Sequence, residues 1–422
     1  MRELDRVIGY DSVKEELYRT LDVLKNGEKY RKMGVKNPHG VLFDGVPGIG
    51  KTLMATCFIK ETERKSYVIR KDKPDGDFIN HIRKIFDEAA NNEPSIIFLD
   101  DMDKFANEDE YHRDAEEYVT VQTCIDDVKN KDVFVIATTN DMHDLPSSLT
   151  RNGRFDKVFS LDFPTNDDAK KIIEFYLKDK KIDKDVDVEE ISRFCRGYSC
   201  ADLEKILNEA GLYAAYDGKA RIGQKYIIDA CLRSIYKATS KEEISDDELK
   251  RRAVHEAGHV VLAELLDPGS VDFVSVTAVD NRRRGVGGLV SRRKNVKNQS
   301  LKGRENEILI ALGGKAATEI VFGEVDMGCN KDMHNVYDLM RTLLDDVTAY
   351  DFGSWCHGNE TSSNVFDHLD SATNVEISRY YLSAKKILIE NRKLLDALVD
   401  EISKEKTISY IRIAAIKGGL VV

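Results

Sequence analysis

The sequence predicts an α/β domain built on a parallel sheet, then a run of amphipathic helices, then a mainly helical domain that holds a metal ion. Three observations carry this. A short apolar strand, Gly40-Val41-Leu42-Phe43-Asp44, runs directly into Gly45-Val46-Pro47-Gly48-Ile49-Gly50-Lys51-Thr52 and a helix. Two further apolar stretches, Ser95–Leu99 and Val133–Ala137, end in acidic or polar residues, Asp100-Asp101 and Thr138-Thr139-Asn140. Far downstream, His255-Glu256-Ala257-Gly258-His259 places two imidazoles four residues apart on one helical face, where both can reach one ion.

Taken in order, residues up to about 36 read as helical, with Val13, Leu17, Leu21 and Leu24 on one face. The strand, glycine-rich loop and helix start that follow form a phosphate cradle. Backbone N–H groups and the helix dipole receive phosphates, Lys51 reaches the β/γ-phosphates, and the Thr52 hydroxyl turns to magnesium. Acidic residues at the carboxyl end of a neighbouring parallel strand are placed to handle the nucleotide's magnesium and a water. Arg151 and Arg154, in Arg151-Asn152-Gly153-Arg154-Phe155-Asp156, have no acidic partner at helical spacing. Charged amphipathic helices then succeed one another to about residue 236, and Thr239-Ser240-Lys241-Glu242-Glu243-Ile244-Ser245-Asp246-Asp247 has the composition of a linker. We therefore expect an α/β domain over residues 1–160, a helical domain over 161–238, a linker over 239–249 and the metal domain over 250–422.

In the metal domain two histidines leave a hydrolytic zinc site one protein ligand short. The third must come from another element, and Glu319, on an apolar helix, is one candidate; His334, on a polar helix, reads as solvated. Glu256, one position past the first histidine, is placed to hold a water and take its proton rather than to bind the ion.

Bulk properties narrow the class. A net charge of −11 argues against a general nucleic-acid binder, whose affinity would rest on neutralising phosphates. Seven cysteines, an odd number without a C-x-x-C pair, fit reduced thiols in a cytosolic setting better than a disulfide framework. No apolar run approaches the length of a bilayer span and no signal-peptide pattern opens the chain, so a soluble chain is expected.

The first half resembles the AAA family of P-loop ATPases. Gly45–Thr52 is similar to its Walker A loop, Ile96–Asp101 to Walker B, Asn140 to sensor 1, and Arg151 with Arg154 to its paired arginine fingers. Gly197-Tyr198-Ser199-Cys200-Ala201-Asp202-Leu203 is similar to the lid signature. The resemblance implies that Gly45, Pro47, Gly48, Gly50, Lys51, Thr52 and Asp100, with Ile8 and Gly9 upstream, hold ATP and Mg2+. It also implies that the fingers act in a neighbouring subunit's site, which requires a ring.

An AAA module followed by H-E-x-x-H is the order of the FtsH-type ATP-dependent zinc metalloproteases, and the match runs from Val7-Ile8-Gly9 to the C-terminal helices. Gly313-Gly314-Lys315-Ala316-Ala317-Thr318-Glu319 resembles that family's G-G-R-x-A-E-E helix, and Met327-Gly328-Cys329-Asn330-Lys331-Asp332 its T-G-A-x-N-D segment, whose aspartate is the third zinc ligand. The resemblance thus implies an α/β P-loop AAA ATPase domain with a helical lid, followed by a mainly α-helical zinc metallopeptidase domain. His255, His259 and Asp332 would hold Zn2+, Glu256 would be the base, and Glu319 would hydrogen-bond a ligand imidazole. Arg282-Arg283-Arg284-Gly285-Val286-Gly287-Gly288-Leu289-Val290-Ser291 resembles the substrate strand, its arginines read as solvated. Polypeptide substrates, a homo-oligomeric ring (a hexamer in this family) and a place on the cytoplasmic side follow, with any membrane anchor on segments outside this chain.

Two departures from the family concern the motor. Asp101 stands where Walker B has glutamate, a side chain shorter by one methylene or about 1.5 Å of reach. Pro74-Asp75-Gly76 stands where an aromatic pore loop is expected, with Phe78 or Tyr67 as substitutes. We expect ATP binding with slow hydrolysis and impaired threading. The competing readings are a nucleotide-gated remodelling ring, or a zinc peptidase whose AAA module is structural.

Overall fold

The computed structural model describes residues 2–34, 37–71, 75–106, 115–149, 153–236, 245–277, 288–293, 300–325, 327–345 and 363–419. These form two compact units: residues 1–181 with 195–208, and residues 182–194 with 209–422.

In the first unit β1 (Gly40–Asp44), β2 (Lys65–Ile69), β3 (Ser95–Leu99), β4 (Val133–Thr139) and β5 (Lys157–Ser160) form one sheet of order β2-β3-β4-β1-β5. Every pairing is parallel. Successive side chains of a strand point to opposite faces, and here both faces are apolar. Leu42, Ile97, Leu99, Val135 and Ala137 join a core with Phe78, Ile82 and Phe86 of α4 (Asp75–Asn91) and Val121 and Ile125 of α5 (Ala115–Asp127). On the other face Val41, Phe43, Ile96, Phe98, Phe134 and Ile136 meet Leu17 and Leu24 of α1 (Asp11–Lys25) and Met54, Ala55 and Phe58 of α3 (Lys51–Thr62). The product is a three-layer sandwich. A short helix α2 (Gly27–Arg31) follows α1.

β1, β3 and β4 lie where the sequence places them, β4 two residues longer. β2 and β5 were not anticipated. Lys65-Ser66-Tyr67-Val68-Ile69 is a half-exposed edge strand without an apolar run to announce it.

The segment expected as a lid is helical: α6 (Asn166–Leu177), α7 (Val188–Phe194), α8 (Cys200–Tyr216) and α9 (Gln224–Tyr236). Of these, α6 and the first half of α8 fall in the first unit and α7 and α9 in the second.

In the second unit the helix with the two histidines is α10 (Asp246–Leu266), capped by the Ser245 hydroxyl, which accepts from the Glu248 N–H. It packs against α11 (Leu301–Phe322), α13 (Ser363–Glu390) and α14 (Arg392–Glu405), and α12 (Asn330–Asp345) packs on α11 and α13. Val254, Val261, Ile308, Leu312, Met340, Leu388 and Leu398 share one buried core. β6 (Val271–Ser275) is the centre of an antiparallel sheet between β7 (Leu289–Arg292) and β8 (Thr407–Ser409), and α15 (Tyr410–Gly419) follows. Among the described residues six cysteines lie outside any disulfide, and no helix is long and apolar enough to cross a membrane.

Candidate active sites

The nucleotide residues converge at the carboxyl edge of the sheet, where the loop after central strand β1 turns into α3. Gly50 takes φ +97°, a left-handed conformation that favours glycine, and this lets Lys51 open the helix. Lys51 is buried, and burial lowers its pKa. Its ammonium donates to the Gly45 carbonyl, to the Val46 carbonyl at 3.0 Å and to Asn140 Oδ1 at 3.0 Å. The amide of Asn140 also donates to Asp103 Oδ2 at 2.9 Å, and the second, buried oxygen of Asp103 has no partner among the described residues.

Asp100 is almost fully buried and accepts from the Thr52 and Thr138 hydroxyls at 3.1 and 2.9 Å through Oδ1. A lysine held only by neutral acceptors, a threonine hydroxyl on an aspartate and an orphaned carboxylate oxygen suit a magnesium–triphosphate, so the donor set fits the group. The lid signature reaches this loop through the Ala201 N–H, which donates to the Gly48 carbonyl at 3.0 Å. Half-buried Ile8 and buried Gly9 (φ +78°) precede α1, and a Cβ on Gly9 would lie 2.7 Å from Asp168 Cγ of α6.

Asp101 has positive φ (55°), and its carboxylate is tied to Lys104. Arg154, without an acidic partner at helical spacing, has one elsewhere in the fold. Its Nε and Nη2 fork onto Asp126 of α5 at 3.0 and 2.7 Å, and Nη1 donates to the Ser148 carbonyl. The partner comes from another helix, so a search at helical spacing could not find it. Arg151 and Pro74 lie outside the described residues, while Asp75 and Gly76 begin α4. Tyr67 and Phe78, named as substitute pore aromatics, are buried, and Phe78 packs edge-on against Phe105 at 5.3 Å.

In the second unit His255 Nε2 lies 3.2 Å from His259 Nε2 and 3.1 Å from Asp332 Oδ2, and His259 Nε2 lies 3.5 Å from the same oxygen. Tetrahedral zinc with bonds of about 2.0–2.2 Å separates its ligand atoms by roughly 3.3–3.5 Å, so this triad matches the cage that the ion requires. The Nδ1 of His259 lies 2.7 Å from the Ile310 carbonyl of α11; donation to it fixes the tautomer and leaves Nε2 as the ligand atom.

Burial is the largest influence on His259 and disfavours its charge, but Asp332, Glu256 and the Ile310 carbonyl together outweigh it and raise the pKa to about 9. Burial likewise pushes Asp332 upward, yet the two imidazoles hold its carboxyl well below the usual range. Glu256 is buried, and that burial raises its pKa.

Three glycine contacts make the site possible. α10 and α11 touch through bare backbone: a Cβ on Gly258 would lie 2.3 Å from the Gly313 carbonyl oxygen, and one on Gly313 2.6 Å from that of Gly258. A Cβ on Gly314 would come within 2.4–2.6 Å of both imidazoles. One on Gly288, just before β7, would lie 2.3 Å from Glu256 Oε1. Their only sequence signal is the clustering of glycines in Gly313-Gly314 and Gly287-Gly288.

Glu319 corrects another expectation. Its carboxylate meets neither imidazole and instead accepts from the Tyr381 hydroxyl and pairs with Lys385 at 3.1 Å. His334 is exposed, as read.

Comparison with known proteins divides the chain in the same order. Residues 41–163 match the ATPase family associated with various cellular activities (AAA), residues 185–229 the AAA+ lid domain and residues 242–416 peptidase family M41. The chain is 30% identical to ATP-dependent zinc metalloprotease FtsH 2 of Phytoplasma mali over 96% of its own length and 61% of that relative. It is 32% identical to the FtsH of Cyanidium caldarium over 95% of this chain and 70% of the relative, and 31% identical to FtsH 2 of Petrotoga mobilis over 96% and 68%. The chain thus spans just over three-fifths of the Phytoplasma relative's length. Similarity that runs through both the phosphate loop and the histidine–aspartate triad means that the chain belongs to the FtsH family of ATP-dependent zinc metalloproteases.

Proposed function

We propose that this protein is an ATP-dependent zinc endopeptidase acting on polypeptides. The observation that carries the reading is the convergence of His255, His259 and Asp332 within ligand distance of one another, with Glu256 on the same helix. Zinc held by these three supplies a Lewis acid that makes water acidic and polarises the scissile carbonyl. Glu256, kept away from bulk water, takes the water's proton and passes it to the leaving amine. β7 lies at the edge of its sheet and begins beside Glu256, which suits it to pair an extended peptide across the carboxyl group that cuts it.

In the AAA domain, assigned to residues 1–160 with its lid over 161–238, Gly45, Pro47, Gly48, Gly50, Lys51 and Thr52 cradle the phosphates. Asp100 orders magnesium's surroundings, and Asn140 and Asp101 orient the attacking water. Ile8 and Gly9 flank the base of the nucleotide. Arg151 and Arg154 are the paired arginine fingers by position, Arg151 being the one offered to a neighbouring copy and Arg154 being held on Asp126 of its own chain. Copies therefore assemble as a ring, a hexamer on the family's pattern, on the cytoplasmic side of any membrane to which it is tethered.

The test is casein cleavage with and without ATP, together with zinc content. Glu256→Gln should lower cleavage by about 10²-fold or more while zinc stays near one per chain, and Asp332→Ala should lose both. Cleavage that survives Glu256→Gln, or zinc retained in full by Asp332→Ala, would overturn the assignment.

A further inference from the structure

Asp100, which the magnesium side of a nucleotide complex needs, already has a cation of its own. β2 and β3 pair in parallel with Ile69 opposite Leu99, and the Asp100 N–H donates to the Ile69 carbonyl at 3.1 Å. The residues just beyond the pair, Arg70 and Asp100, are therefore neighbours on the carboxyl edge of the sheet. The Arg70 guanidinium closes on Asp100 Oδ2 at 2.6 Å, while Oδ1 accepts from Thr52 and Thr138. Both oxygens of the carboxylate are thus occupied.

The pair is lopsided: the side chain of Asp100 is 6% exposed and that of Arg70 61%. A buried carboxylate is costly without a counter-charge, and a guanidinium in water is free to leave at little cost. Lys71, the next residue, turns to Glu117 instead.

We propose that Arg70 is a built-in counter-ion of the magnesium carboxylate, seated on Asp100 when the nucleotide site is empty and obliged to let go when a magnesium–nucleotide complex binds. This rests on the P-loop reading above. Two cations that compete for one carboxylate are linked thermodynamically, so each weakens the other's hold. Where magnesium is missing, the guanidinium stays on this edge of the sheet and supplies positive charge beside the phosphates. Both effects act in one direction: Arg70 makes nucleotide affinity less dependent on magnesium than the P-loop alone would make it.

The experiment is a fluorescence titration of the full chain with N-methylanthraniloyl-ADP, in excess magnesium and in magnesium-free buffer. No chelator is used, so the zinc half is untouched. The quantity read is the ratio of Kd without magnesium to Kd with it. Arg70→Ser should raise that ratio about tenfold over wild type, within the range of ordinary coupling between sites. Arg70→Gln, which keeps the apolar stem, serves as a second variant and should do the same. Lys71→Ser, which removes one charge a residue away, should leave the ratio within about twofold.

An unchanged ratio in both Arg70 variants overturns the proposal, as does an equal rise in Lys71→Ser, which would make the effect one of general field. Wild type that binds no nucleotide in either buffer overturns the P-loop reading and this proposal together.

Discussion

At the scale of single residues, the departure with the largest expected effect is Asp101. Its positive φ and its tie to Lys104 hold the carboxylate on the loop after β3, about 1.5 Å short of where a glutamate would end. A misplacement of about 1 Å at a catalytic group costs on the order of 10²-fold, whereas an exposed lysine pair contributes little. Asp101→Glu should therefore raise ATP turnover at least about tenfold, read as steady-state phosphate release, with nucleotide affinity little changed. A turnover that stays level or falls would place the water-orienting group elsewhere.

Residues differ in how legible they were. His255 and His259 could be read together because one helical turn fixes their relation. Asp332, separated from His255 by 77 positions, came from family resemblance alone. The fork from Arg154 to Asp126, 28 positions apart, and the bond from Tyr381 to Glu319, 62 apart, are made by tertiary packing, and no local pattern announces such contacts.

At the scale of elements, the helix pair α10 and α11 is set by Gly258 and Gly313. Alanine in place of a helical glycine ordinarily gains about 1 kcal/mol in helix propensity. At Gly258 that gain meets a backbone carbonyl 2.3 Å away and the Ala317 Cβ at 2.6 Å, neither of which is the movable end of a long side chain. Overpacking of this kind costs about 1–3 kcal/mol, and a backbone obstacle puts the site at the upper end. Gly258→Ala should therefore lose about 1–2 kcal/mol net in urea unfolding and lower zinc content; equal or greater stability would show that the helices part freely. In the parallel sheet the strands were legible in proportion to their burial. β1, β3 and β4, apolar on both faces, stood out as runs. β2 at the sheet edge and the four-residue β5 did not, because half-exposed strands admit charge at alternate positions.

At the scale of the whole molecule, stability against acid draws on carboxylates held ionised by the fold. Asp126 is one: the hydrogen bond from Arg154, helped by Lys129, outweighs partial burial and lowers its pKa from 3.8 to about 2. A folded value below the unfolded one means the contribution is complete above about pH 4 and is lost as pH falls toward 2. Because the Asp126 side chain is 37% exposed, solvent screening limits that contribution to about 1 kcal/mol at most. The gap in thermal midpoint between wild type and Asp126→Asn should be widest near neutrality and narrow as pH drops from about 5 to 3. A gap that stays constant over that window would assign the fork no role in acid stability.

The turn of α11 from Ile310 to Gly314 supports the zinc ligands twice: one end accepts from His259 and the other clears room for both imidazoles. The site consequently works as a gauge of axial register. A slide of α11 along α10 by one residue's rise, about 1.5 Å, would take the carbonyl from Nδ1 and bring a neighbouring position against the rings. Anything that shears these two helices is felt first as a loss of zinc, well before either helix unravels.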